Sequence, residues 1–194
     1  MAHHRARILL TRYFSGPVAR LLLALHVGPN AVTLLGLALS GAAAYLLANG
    51  HLLAGGAVTL AGGALDAVDG TLARLGGRAS SFGAFLDSAT DRLSEAAVLL
   101  GLLLWYAKET SATGVVLVYL ALVLSFMVSY TRARAEGLGL RADVGVMDRA
   151  LRLLVIALGL MLGFPEVALG IVAALSALTA AQRAVHVWRG TRGG

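Results

Sequence analysis

The sequence predicts an all-α integral membrane protein: six transmembrane helices preceded by an N-terminal interfacial amphipathic helix. Three observations predict it. Of 194 residues, 58% are hydrophobic and 13% charged, with a mean hydropathy of +0.81, where a soluble domain carries about 45–50% apolar and about 25% charged residues. The apolar residues fall in runs of bilayer-spanning length, separated by short clusters of Gly, Pro, Asn and Ser. The basic residues gather in alternate connections instead of spreading evenly. One domain is expected over residues 1–194, with 1–28 as the interfacial segment and 29–190 as the six-helix core.

Taken in order, residues 1–26 interleave Arg5, Arg7, Arg12 and Arg20 with Ile8, Leu9, Leu10, Tyr13, Phe14 and Leu21. This is the pattern of a helix lying in the interface, with a break at Gly16-Pro17. The arginines leave no unbroken apolar core before Pro17, unlike a secretory signal. Gly28-Pro29-Asn30 opens the first span, 31–48, which Asn49-Gly50 ends. The second span is 51–74, followed by a Gly-rich loop, and Ser80 or Ser81 can cap the third, 82–107. Lys108 to Ser111 turns into the fourth, 113–136, which Gly137-Leu138-Gly139 breaks. The fifth is expected from Val146 to Gly163-Phe164-Pro165, and the sixth over 166–188, before a short basic tail.

Six spans bring both termini to one side. All fifteen arginines then fall on that side and Lys108 alone on the other, so the arginine side is expected to face the cytoplasm across the cell's inner membrane. The net charge of +6 thus reads as orientation and attraction to anionic lipid, not as nucleic-acid binding. Cysteine is absent, which excludes disulfides, thiolate catalysis and a zinc–thiolate site.

Against this background stand four carboxylates in Asp66-Ala67-Val68-Asp69-Gly70-Thr71-Leu72-Ala73-Arg74 and Gly83-Ala84-Phe85-Leu86-Asp87-Ser88-Ala89-Thr90-Asp91. Ionisable groups at membrane depth are costly and face an interior cavity. Residues 66, 69, 70 and 73 fall within an arc of roughly 100° on a helix. Residues 83, 87 and 91 form one stripe of the next helix. Two adjacent helices can therefore converge their acids, and such a group needs cations; hard oxygen donors suit Mg²⁺, Mn²⁺ or Ca²⁺. Gly70 and Gly83, lying among the acids, leave room for a ligand. For single residues the plainer readings are ion pairs, Asp69 with Arg74 or Arg92 with Glu95, and close helix packing for most of the 24 glycines. The five histidines, including His3-His4, lack metal-ligand spacing and read as surface residues.

A second concentration, Ser129-Tyr130-Thr131-Arg132-Ala133-Arg134-Ala135-Glu136 with Asp148-Arg149-Ala150-Leu151-Arg152, is basic. Positive-inside bias and an Arg132–Glu136 pair explain part of it. Arg149 and Arg152, at i and i+3, can share a pocket, and a pocket of arginines suits a phosphorylated, polar acceptor. Arg74 can pair with a diphosphate through its guanidinium fork.

The two acidic blocks, D-x-x-D-G-x-x-A-R and G-x-x-x-D-x-x-x-D, resemble the signature of the CDP-alcohol phosphotransferases, integral membrane enzymes of phospholipid synthesis. The resemblance runs from about Arg12 to Leu153. It implies transfer of a phosphatidyl-type group from a CDP-linked lipid, CDP-diacylglycerol, to an alcohol with release of CMP. It implies two Mg²⁺ ions, or Mn²⁺, held by Asp66, Asp69, Asp87 and Asp91, with Asp91 also the catalytic base. It implies CDP-lipid contacts at Pro29, Asn30, Thr33, Asp69, Gly70, Arg74, Ser80 and Gly83, and it allows a homodimer. The basic block resembles the branch that uses inositol phosphate to make phosphatidylinositol phosphate or its archaeal ether-lipid counterpart, departing at Asp148 and Leu151. The acceptor phosphate is then expected at Arg132, Arg134, Arg149 and Arg152, with glycerol 3-phosphate the alternative acceptor. A cation transporter would also carry intramembrane acids, but distributed through the depth of the bilayer. A non-catalytic scaffold gives no reason for the repeated aspartate spacing.

Overall fold

The structure, a computed structural model, describes residues 15–77 and 80–192. Seven helices account for most of them: α1 (Gly16–Ala24), α2 (Pro29–Ala48), α3 (Leu52–Leu75), α4 (Ser81–Lys108), α5 (Ala112–Gly137), α6 (Arg149–Met161) and α7 (Pro165–Arg192). No strand occurs among the described residues. Helices α2 to α7 close a ring in the order α2, α4, α5, α7, α6, α3, each packed on the next, and α1 rests against α3.

The breaks fall where the chain loses its helical options. Pro29 occupies the first turn of α2, where its missing N–H is not needed. Ser80 caps α4 by accepting from the Gly83 amide at 3.0 Å, Ser111 caps α5 through Gly114, and Asp148 caps α6 through Leu151. At the lysine end, Lys108 Nζ donates to the Ala48 carbonyl at 2.7 Å, satisfying an acceptor left free at the end of α2.

Small residues let backbones meet. A Cβ on Gly101 of α4 would stand 2.4 Å from the Ala44 carbonyl oxygen of α2, so only glycine permits that crossing. Leu47, Leu99, Leu102, Val118, Ile156, Leu160 and Leu169 fill the shared core of the ring. A smaller cluster, Ala19, Val32, Val68 and Leu72, fastens α1 to the arginine end.

One expectation changes. The fifth helix does not begin at Val146: residues 141–148 are non-helical, and α6 starts at Arg149. Gly145 has φ +123°, and the Met147 amide donates to Thr179 Oγ1 at 3.0 Å, so this stretch is tied to α7 and cannot wind. At 13 residues, α6 spans only about 20 Å. Four helices, α2, α3, α5 and α7, are long and apolar enough to cross a membrane; α4 has the length but bears Asp87, Asp91 and Arg92 in its first half and Glu95 just past its middle. Helix α1 starts at Gly16, with Pro17 in its first turn, where the missing N–H is not needed. The expected interfacial residues before position 15, and Arg78 and Ala79 of the loop, lie outside the described residues.

Candidate active site

Three helix ends meet at the arginine side: the start of α2, the end of α3 and the start of α4. Asp66 and Asp69, one turn apart on α3, face Asp87 on α4, and one carboxylate oxygen from each lies within 4.8 Å of the others. Their convergence follows from the i, i+3 spacing on α3 and the close α2–α3 contact at Gly36 and Gly62. Three like charges at this spacing repel unless a cation lies among them. Asp69 is 4% exposed and accepts from Thr33 Oγ1 at 2.7 Å, which ties the start of α2 to the acidic group.

Asp91 stands apart from that trio. Its Oδ1 lies 2.5 Å from Arg149 Nη1, and the same guanidinium also meets Asp66 Oδ2. The two faces predicted from helical spacing do come together, but the fourth acid is joined to the rest through an arginine from α6.

The other residues expected to hold a nucleotide surround the same end. Asn30 is in the first turn of α2 and approaches α4 closely: a Cβ at Gly83 would lie 3.6 Å from its Oδ1 and 3.1 Å from Ser80 Oγ. Gly70 leaves space beside Arg74, whose Nη1 would be 3.7 Å from a Cβ there. Arg74 donates to Thr71 Oγ1 at 3.2 Å, and Thr71 Oγ1 is 3.1 Å from Ser15 Oγ. Arg74 therefore does not pair with Asp69. Neither does Arg92 pair with Glu95; it donates to the Ser88 carbonyl.

A cavity of about 690 Å³ opens beside Asp91, between α4, α5, α6 and α7, and Arg92, Arg132, Arg149, Arg152 and Arg183 line it. Arg132 is exposed and shared between Glu136 at 2.9 Å and Asp143 at 3.0 Å. Arg152 is buried and gives Nε and Nη2 to the two oxygens of Glu95, each at 2.7 Å. Arg183 donates to the Val144 and Val128 carbonyls at 2.9 and 2.5 Å. Arg134, the remaining arginine expected at the acceptor, is exposed and is not among the cavity-lining residues. Arg92, Arg183 and Glu95 are additions. Arg183 reads in the sequence as one more basic residue of a helix end, and its partners lie 39 and 55 residues away.

Comparison with known proteins agrees with this geometry. The profile of the CDP-alcohol phosphatidyltransferase family matches residues 26–188. The archaetidylinositol phosphate synthase of Methanothermobacter thermautotrophicus is 38% identical over 81% of this chain and 82% of its own. The phosphatidylinositol phosphate synthase of Mycobacterium marinum is 38% identical over 90% of this chain and 79% of its own. The crystal structure of the Mycobacterium tuberculosis phosphatidylinositol phosphate synthase with CDP-DAG bound superimposes with a TM-score of 0.83, at 36% identity over 90% of this chain and 94% of that one. The same synthase has also been crystallised with manganese and citrate, again with a TM-score of 0.83, 36% identity and 90% and 89% coverage. With the acidic blocks, the helical ring and the profile in agreement, the chain belongs to the CDP-alcohol phosphatidyltransferase family and is a transferase.

Proposed function

We propose that this transferase moves the phosphatidyl group of CDP-diacylglycerol onto a hydroxyl of inositol phosphate, giving phosphatidylinositol phosphate and CMP. One observation carries the choice of acceptor: a cavity lined by five arginines opens directly beside Asp91. An uncharged alcohol would not need those guanidiniums, whereas a phosphate does. The CDP-DAG bound to the M. tuberculosis synthase supports the donor.

Asp66, Asp69 and Asp87, with Asp91 one turn on, offer a hard-oxygen donor set that fits Mg²⁺ or Mn²⁺. Bound there, a divalent cation neutralises the diphosphate and eases departure of CMP. The chain's own residues do the rest. Pro29 and Asn30 border the nucleotide, Thr33 orients Asp69, and Ser80 with Gly83 and Gly70 leave the backbone accessible beside it. Arg74 reaches the diphosphate. Arg132, Arg149, Arg152 and Arg183 hold the acceptor phosphate so that its hydroxyl meets Asp91. Asp91 takes the hydroxyl proton as the oxygen bonds to the β-phosphorus and the bond to the CMP oxygen breaks. The products are a phosphodiester lipid, CMP and a protonated Asp91, which then releases its proton to water.

All six ring helices are taken to cross the inner membrane, since α4 and α6 complete a closed ring whose other members are apolar spans. The arginine end faces the cytoplasm, and α1, with Arg20 and Leu21 exposed, lies in the interface.

The test is an acceptor panel: purified protein, CDP-diacylglycerol and Mg²⁺, given inositol phosphate, glycerol 3-phosphate, serine or inositol in turn. Lipid product is expected with inositol phosphate. Product with glycerol 3-phosphate alone moves the assignment to phosphatidylglycerophosphate synthesis, and product with serine or inositol alone overturns the arginine argument.

A further inference from the structure

Three residues apart on α6, two arginines meet carboxylates of α4 in opposite ways. Arg152 forms a buried fork with both oxygens of Glu95, every contact in hydrogen-bonding geometry. Arg149 donates Nη1 to Asp66 and forms an ion pair with Asp91, on two different helices, but its Nε and Asp91 Oδ1 are both buried without a hydrogen-bond partner. Arg152 is fitted to its partner; Arg149 is only partly satisfied, with one donor and one facing acceptor left over. Polar atoms left unpaired in a protein interior cost free energy and mark a site that something else completes.

Arg149 also lines the arginine-bordered cavity, so one side chain stands on the boundary between the carboxylates and the acceptor space. Its guanidinium lies against the same acids proposed to hold divalent cations. A cation entering among those acids repels the guanidinium and competes for the same oxygens. The Glu95–Arg152 fork keeps α6 in place one turn away, so the movement open to Arg149 is a rotation of its own long side chain.

We propose that Arg149 is a displaceable counter-ion: it neutralises Asp66 and Asp91 when no divalent cation is bound, and on cation binding it turns into the adjoining cavity to receive the acceptor phosphate. This rests on the metal and acceptor assignments made above. It makes Arg149 a positioning residue that arms the acceptor site only after the cation is in place. Because coupling is reciprocal, acceptor phosphate must tighten cation binding by the same factor as cation tightens phosphate binding.

The experiment is Mn²⁺ titration of the purified, chelator-stripped full chain in detergent, followed by loss of the free-ion electron paramagnetic resonance signal, with and without inositol phosphate. Wild type is expected to bind Mn²⁺ about tenfold tighter when inositol phosphate is present, a coupling of ordinary size. Arg149→Gln is expected to bind Mn²⁺ about tenfold tighter than wild type without acceptor, and to gain nothing further from it. Arg149→Lys, keeping the charge, should stay near wild type without acceptor. Equal or weaker Mn²⁺ binding by Arg149→Gln overturns the proposal. So does a wild-type affinity indifferent to inositol phosphate, a result that needs no variant to fold. An Asp69→Asn control separates the two layers: if it binds Mn²⁺ as wild type does, the metal assignment fails with the proposal. If it loses binding while Arg149→Gln matches wild type, only the counter-ion role fails.

Discussion

Glu95 on α4 receives Nε and Nη2 of Arg152 on α6, each at 2.7 Å, with the arginine side chain 1% and the glutamate side chain 6% exposed. The pair spans the ring one turn inward from Asp91 and Arg149, so it sets the separation of the two helices that carry them. Removing one partner strands a buried charge, a loss of about 3–5 kcal/mol. Glu95→Gln should therefore lower the unfolding midpoint in detergent sharply. The double variant Glu95→Leu with Arg152→Met should recover much of that loss while leaving the acceptor site defective. A Glu95→Gln midpoint within error of wild type would contradict the pairing.

Thr33 joins the start of α2 to the acidic group through its 2.7 Å bond to Asp69. A hydrogen bond to a charged acceptor contributes about 1.5–3 kcal/mol. Thr33→Val should lower kcat/KM for CDP-diacylglycerol by about tenfold or more, measured as CMP release against donor concentration, and Thr33→Ser should restore most of it. Equal activity in all three proteins would remove Thr33 from the site.

Asp91 borders the arginine-lined cavity, whereas the trio Asp66, Asp69 and Asp87 lies closer together. Loss of a general base costs about 10²–10⁴-fold in rate. Asp91→Asn should abolish turnover yet retain CDP-lipid, measured by equilibrium binding of labelled donor. Retained turnover would defeat the base assignment.

Much of this was legible in the chain itself, for local reasons. Helices α2 to α5 announce themselves because apolar runs end at Gly28-Pro29, Asn49-Gly50, Ser80 and Ser111, residues whose backbone or capping chemistry stops a helix. The shared face of Asp66 and Asp69 follows from spacing alone, whereas the approach of Asp87 needs the packing of two helices. The start of α6 was hidden because Val144, Val146 and Met147 look like a helical turn, while the forces that keep them extended, Gly145 at positive φ and the bond to Thr179, come from α7. Glu95 and Arg152 are 57 residues apart, beyond any periodicity.

The central claim is that carboxylates from α3 and α4 hold divalent cations where a CDP-lipid loses CMP. It is tested most directly by CMP release from CDP-diacylglycerol plus inositol phosphate, for wild type and Asp69→Asn, before and after chelation. The account predicts release by wild type only with Mg²⁺ or Mn²⁺ present, its return when the cation is restored, and a fall of at least about a hundredfold in Asp69→Asn, the order of loss on removing one preorganised charge-stabilising group. Release that survives chelation, or that Asp69→Asn leaves unchanged, would contradict it.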